Sequence, residues 1–176
     1  PSRGLTESVT AADMDGDGDM DLVSSNLVQN ELTLGLIPLQ LFFQANPGSF
    51  AQLPVSLDAG QWPYAVTAAD LDGDGDLDLV AANRVSNDLT PLLQTSPGVF
   101  SPTLALPAGT GTAAVVAADL DGDSDLDLAS ASFGDSKLTL HIQDSGVFTS
   151  APSPLSAGLF TSSVAAADLD GDGDMD

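Results

Sequence analysis

The sequence predicts an all-β chain built from about three and a half copies of one unit of four short antiparallel strands. Three observations lead there. An aspartate-rich nonapeptide, DMDGDGDMD at residues 13–21, returns at 70–78, 119–127 and 168–176. Its first aspartates, Asp13, Asp70, Asp119 and Asp168, are 57, 49 and 49 residues apart, so the unit has a nearly constant length. Between the nonapeptides, apolar residues alternate or run briefly between Gly, Pro, Asn and Asp, and no helical period is sustained.

The elements repeat in order. SVTAAD, AVTAAD, VVAAD and VAAAD lead into the four nonapeptides, each with an alanine pair: Ala11–Ala12, Ala68–Ala69, Ala117–Ala118 and Ala166–Ala167. Small side chains suit a first strand placed innermost, where units converge. LVSSN, LVAAN and LASAS supply the second strand, NELTL, NDLTP and SKLTL the third, and NPGSF, SPGVF and DSGVF the turn into the fourth. In the second unit the strands fall at roughly 64–69, 77–83, 88–94 and 100–107. In KLTLHIQ, Leu138, Leu140 and Ile142 share one face of a half-buried strand, and Thr139, His141 and Gln143 share what is expected to be its solvent face. The longer first unit carries an insertion at about 35–42, an apolar stretch expected to extend a strand on its own blade, with an interface role as the alternative.

Four strands in 40–50 residues is the period of a β-propeller blade, preferred here to the shorter coils of a parallel β-helix. Residues 1–176 form one repeat array, an incomplete, open propeller unless copies associate.

The charge is concentrated in the nonapeptides. Of 26 acidic residues, twenty lie in these four segments, and the six elsewhere face three basic residues, so the net charge of −23 belongs to four sites. Arg3, Arg84 and Lys137 are too few for counterion release from nucleic acid or for attraction to anionic lipid. No run of residues is long and apolar enough to insert in a membrane. With no cysteine, thiolate sites and disulfides are excluded.

Five aspartates in nine residues repel one another, by roughly 1 kcal/mol for a pair ~4 Å apart even in water. A hard cation turns that repulsion into coordination. Aspartates at positions 1, 3, 5 and 9 with the carbonyl of position 7 suit Ca²⁺, which takes six to eight oxygens, better than Mg²⁺, and softer metals would want ligands these loops lack. Glycines at positions 4 and 6 allow the tight curl. An EF-hand would need Glu at position 12, where Ser24, Ala81 and Ser130 stand, and helices on either side.

AADLDGDGDLDLVAAN (68–83) resembles the FG-GAP/VCBS repeat, the calcium-loop blade of integrin-α-like propellers, and the likeness covers essentially the whole chain. It implies a propeller that is usually seven-bladed, with calcium in the hairpin between the first two strands of a blade. By position, it implies side-chain ligands Asp13, Asp15, Asp17 and Asp21 with the carbonyl of Asp19 in the first loop. The second would use Asp70, Asp72, Asp74 and Asp78 with Asp76; the third, Asp119, Asp121, Asp123 and Asp127 with Asp125; the fourth, Asp168, Asp170, Asp172 and Asp176 with Asp174. Up to four Ca²⁺ are thus expected. Loops three and four should bind more weakly, because Ser124 replaces a glycine and Asp176 has no following strand in this sequence. The Phe-Gly and Gly-Ala-Pro elements are absent, which points to the VCBS-like branch.

Strand alternation puts the calcium hairpins on one face and the linkers and second-to-third-strand turns on the other. That opposite face gathers Trp62, Tyr64, Arg84, Phe133 and Phe160, a recognition patch for protein or sugar, with packing between blades the alternative use of Trp62 and Tyr64. FGDSKL (133–138) resembles an esterase nucleophile block but occupies a turn position, and no enzyme motif is otherwise visible. The expectation is a non-enzymatic, calcium-binding propeller segment of a secreted or cell-surface protein, acting in adhesion or recognition of protein or carbohydrate. The alternatives are a structural subunit assembling with further copies through its blade edges, and an accessory domain of a secreted enzyme.

Overall fold

The structure, a computed structural model, describes residues 3–29, 39–173 and 175. Fourteen strands and no helix form three antiparallel sheets among these residues. The first pairs β1 (Arg3–Ala12), β2 (Asp21–Gln29), β3 (Leu39–Asn46) and β4 (Ser49–Leu57) in sequence order. The second holds β5 (Pro63–Ala69), β6 (Asp78–Asn83), β7 (Asp88–Ser96) and β8 (Val99–Pro102), with β9 (Leu106–Pro107) returning to β7. The third repeats this as β10 (Thr112–Ala118), β11 (Asp127–Ser132), β12 (Lys137–Asp144) and β13 (Val147–Ser150), with β14 (Leu155–Ser156) on β12. The strands expected in the second unit are all present, the last divided into β8 and β9.

The sheets succeed one another as blades. First strands lie side by side, β1 against β5 and β5 against β10, while the outer strands β4 and β8 barely meet. Thr10 Oγ1 donates to the Val66 carbonyl at 3.2 Å across the first of these contacts. The alanines explain the closeness: a larger side chain on the inner strands would hold the blades apart. Each inner strand carries a bulge near its start, at Glu7, Tyr64 and Ala113, where the register shifts by one residue.

The core lies in the seams between blades. Met14, Val23, Leu39 and Leu41 of the first blade meet Val66, Leu79, Ala81 and Leu92 of the second. Leu71, Val80, Ala82 and Leu89 of the second meet Leu128 of the third. Residues 35–38 of the insertion lie outside the described residues; its last residues enter β3, where Leu39 and Leu41 are fully buried in the first seam. Phe43 also crosses this seam, and a Cβ on Gly98 would come within 2.5 Å of its ring. Glycine at 98 is therefore required by close approach as well as by its positive φ.

Two expectations are corrected. His141 does not face solvent: it is fully buried and its Nε2 donates to the Pro107 carbonyl at 3.1 Å, leaving Nδ1 unpartnered. It occupies the place of Leu92 one blade earlier, on the face packed against the second blade, whereas Leu138, Leu140 and Ile142, on the outward side, are only half-buried. Alternation separates the two faces of a strand but does not say which one packs against the neighbouring blade, and here the face with His141 does so. Residues 161–167, which repeat the first-strand sequence, form no strand. Each first strand elsewhere is paired to the strand that follows its aspartate loop.

Burial holds the His141 pKa below the ordinary histidine value, against the smaller opposing effect of the Pro107 carbonyl. The unfolded chain therefore takes up a proton first, and stability falls as pH drops from about 6.5 toward the folded-state value, by at most about 1.4 kcal/mol per pH unit. Urea midpoints between pH 7 and pH 5 at constant calcium should fall in the parent protein relative to His141→Leu. Parallel curves for the two proteins would refute the buried neutral imidazole.

Candidate metal centres and the opposite face

Each nonapeptide folds around its own carboxylates. The position-1 aspartate gathers backbone N–H groups of the turn: Asp70 Oδ1 accepts from Gly73 at 2.8 Å and Oδ2 from Gly75 at 3.0 Å. Asp13, Asp119 and Asp168 do the same with the residues three and five places on. The position-3 side chains accept the N–H two residues ahead at 3.2–3.3 Å. Positions 4 and 6 have positive φ in all four loops. Ser124 adopts φ 79° and still donates its N–H to Asp119 at 3.0 Å, so the third loop keeps the common shape with a residue that resists it.

The position-9 aspartates are built in differently. Asp21, Asp78 and Asp127 are buried, and each accepts two backbone N–H groups. One comes from position 2 of the same loop (Met14, Leu71, Leu120, each at 2.8 Å). The other comes from the third strand of the same blade (Gln44, Gln94, Gln143, at 2.7–2.8 Å). Among the described residues, ligand atoms within 4.8 Å of one another group as Asp13, Asp15 and Asp17; Asp70, Asp72 and Asp78; Asp119, Asp121 and Asp127; and Asp168, Asp170 and Asp172. The expected quartet of positions 1, 3, 5 and 9 is thus brought together three at a time, with position 5 in loops one and four and position 9 in loops two and three. The position-5 oxygen accepts the position-7 N–H in the first three loops, Asp17 from Asp19 at 2.8 Å and Asp74 and Asp123 from Asp76 and Asp125 at 2.9 Å. Asp174 and Asp176 lie outside the described residues.

An all-oxygen, all-anionic donor set fits a hard divalent cation. The electrostatics agree. Burial, followed by the charges of Asp17 and Asp21, raises the Asp15 pKa. Burial also raises that of Asp78, opposed by the Gln94 and Leu71 N–H groups and reinforced by Asp72 and Asp74. In both, burial is the larger cause and the neighbouring carboxylates add to it.

The loops also reach across the seams. Met14 and Leu71, at position 2, are buried. The Met14 carbonyl accepts the N–H of Gly98 at 3.2 Å, and the Leu71 carbonyl accepts Gln143 Nε2 at 2.9 Å, both from the following blade. Gln143, expected on the solvent face of its strand, is buried, and the repeat signal it shares with Gln44 and Gln94, a glutamine three or four residues before the Gly of each third-to-fourth-strand turn, marks this role in the sequence.

On the opposite face, four of the five expected residues form a ladder. The Arg84 guanidinium lies 4.8 Å from the Tyr64 ring centroid and 5.3 Å from that of Phe133. Phe133 in turn stacks at 5.0 Å on Phe160, tilted by 35°. Arg84 and Phe133 hold the same position in successive blades, just past β6 and β11. Trp62 stands beside this ladder in sequence: its carbonyl accepts the Arg84 N–H at 2.9 Å, and its indole Nε1 is buried without a partner. The FGDSKL segment is the β11–β12 turn, and Ser136 Oγ accepts the Phe160 N–H at 3.3 Å.

The model of the FG-GAP-like repeat matches three times, over residues 38–81, 72–130 and 119–176. Among solved structures, a functionally unknown protein from Desulfotomaculum acetoxidans DSM 771 is similar, with 12% identity and a TM-score of 0.53. The alignment covers 83% of this chain and 55% of that one, so this chain spans little more than half its length, and at this identity the likeness concerns the fold alone. No curated protein matches. With three family matches that together span residues 38–176, a propeller-like stack of four-stranded blades and an aspartate loop at each first hairpin, the chain belongs to the FG-GAP-like repeat family.

Proposed function

We propose that the chain is a non-enzymatic, calcium-binding propeller segment of a secreted or cell-surface protein, and that its loop-free face recognises a protein or carbohydrate ligand. The observation that carries the reading is the pairing of the aspartate clusters at one end of the blades with the Tyr64–Arg84–Phe133–Phe160 ladder at the other. Positions 1, 3, 5 and 9 of each loop would hold Ca²⁺, which supplies positive charge and ordering. The protein's own part is to preform the curl through the position-1 carboxylate and to fix the loop to β3, β7 or β12 through position 9. Millimolar extracellular calcium would fill even weak loops. Among the described residues no helix is long and apolar enough to cross a membrane.

A second reading is supported by the open side of the first blade. A groove of about 280 Å³ there is lined by Val9, Leu22, Ser24, Phe42 and Phe50. These are the counterparts of Val66, Leu79, Ala81, Leu92 and Phe100, which in the second blade receive the first blade's core. The third blade's outward side, with Leu140 and Ile142, matches the surface that covers such a face. Head-to-tail association of copies through these two ends would generate a ring or an open filament.

Chelation should lower the melting temperature strongly, since a ligand of the folded state stabilises it by mass action; a melt that ignores chelator removes the calcium assignment. Asp72→Asn should leave the chelated protein within about 0.5 kcal/mol of the parent while shrinking the calcium-dependent gain in melting temperature. Asp78→Ala should cost roughly 2–5 kcal/mol even in chelator, because two backbone N–H groups lose their buried acceptor. Equal effects of the two variants in chelator would contradict the division between ligand and anchor. Ser124→Gly, by relieving about 1 kcal/mol of left-handed strain, should raise calcium affinity at the third loop alone. For the assembly reading, light scattering should show association that Phe42→Asp abolishes.

A further inference from the structure

Arg84 has no carboxylate partner among the described residues of a chain with 26 acidic residues. Asp88 accepts from Asn83 Nδ2 at 2.7 Å and Ser86 Oγ at 3.0 Å, and Asp135 lies 3.8 Å from Lys137. Among the described residues no hydrogen bond engages the guanidinium either; it rests over two aromatic rings, half-buried. Rings hold a guanidinium by its flat face and leave its N–H donors, which lie in its plane, free for an acceptor. An anion entering there meets a cation already oriented and partly stripped of water.

The backbone around the ladder is unusual in the same sense. Three successive linkers place a residue in the left-handed region at one equivalent position: Trp62 at φ 60°, Gly111 at φ 69° and Phe160 at φ 63°. Glycine is the unstrained choice, yet two of the three are large aromatics, with Phe160 66% exposed. Tyr64 projects from a β-bulge, a device that re-aims a side chain. The result is aromatic, gap, aromatic along successive blades, with Arg84 and Phe133 beside the gap.

We infer that this face binds an extended anionic polysaccharide, one sugar carboxylate taken by Arg84 and the flat apolar faces of sugar rings laid on the neighbouring aromatics. The inference rests on the recognition reading above and narrows it. A periodic ligand of flat rings suits aromatic platforms that return at the same position two blades apart, whereas a peptide has no repeating flat face. The acidic loops do not prohibit it: Arg84 stands six residues along β6 from Asp78, about 20 Å away. That is beyond the screening length of about 8 Å at physiological salt.

Trp62, the only tryptophan, reports from the site itself. The full chain is titrated at constant free calcium with a galacturonate oligosaccharide, with its methyl ester and with poly-glutamate, reading tryptophan fluorescence. The acid form should bind at least about tenfold more tightly than the ester, the worth of one bidentate charge-assisted contact. Arg84→Gln should erase that difference, and Arg84→Lys should restore only part of it, with chelator-sensitive melting retained in both. Equal binding of acid and ester would overturn the carboxylate inference while leaving the recognition face intact. Binding of poly-glutamate in preference to the sugar would overturn the sugar. Binding lost in Asp72→Asn but kept in Arg84→Gln would place the acid on a loop cation and overturn the site. No response to any of the three would remove both the inference and the recognition reading for these ligand classes.

Discussion

The whole arrangement depends on one buried carboxylate per blade accepting two backbone N–H groups. Asp78 shows the logic: Oδ2 takes the N–H of Leu71 and Oδ1 that of Gln94. A carboxylate buried alone would be prohibitive, and two backbone donors make it tolerable, since hydrogen bonds to a charged group contribute about 1.5–3 kcal/mol each. The same bonds fix the geometry. Leu71 is drawn under the loop, so the intervening aspartates must curl outward, and Gln94 ties the first hairpin to the third strand. The cluster of exposed carboxylates is a consequence of that anchor. Asp21 and Asp127 repeat it with Met14 and Gln44, and with Leu120 and Gln143.

From this anchor follows the bond between blades. Position 2 of the first two loops, pulled inward, becomes the plug of the next seam: Met14 and Leu71 are buried against the following blade and their carbonyls are capped from it. A loop that is disordered by its own repulsion would therefore release more than itself. The ladder on the far side crosses the same seam, with Arg84 of the second blade over Phe133 of the third. Order in the second loop and order on that face are linked through one packed seam, with no separate device needed.

Much of this was legible because the repeat is written in residues with narrow uses. Asp and Gly in nine fixed places can do little but curl, and alanine pairs mark the crowded inner strands, so the loops, the strand order and the gathering of Arg84 with Tyr64 and the phenylalanines could be read directly. What could not be read is where one residue serves two ends. Position 9 is expected as a ligand, and in the three loops where it is described its oxygens also hold two N–H groups, a second use that only contact across strands shows. His141 was misplaced because period-2 alternation names two faces without saying which meets the neighbouring blade; here the polar face packs on the second blade and the apolar face is the half-buried one. The first-strand sequence of the fourth unit is also present, but a strand is a pairing and not a propensity, and residues 161–167 are not paired here.

The two ends of the blades have been built under opposite rules. Within the aspartate loops, left-handed residues are glycines with open space around them, apart from Ser124, so the backbone adopts its curl with little strain and the charge is left outward. At the linker end, the left-handed positions carry Trp62 and Phe160, where a bulky residue costs of order 1–3 kcal/mol and glycine, as at 111, would serve the fold. Burial offers no full return on that cost, because Phe160 remains largely exposed. A left-handed aromatic, repeated at the same position two blades apart and placed beside an arginine without an acid, fits the proposed recognition of a ligand. Packing alone does not ask for it.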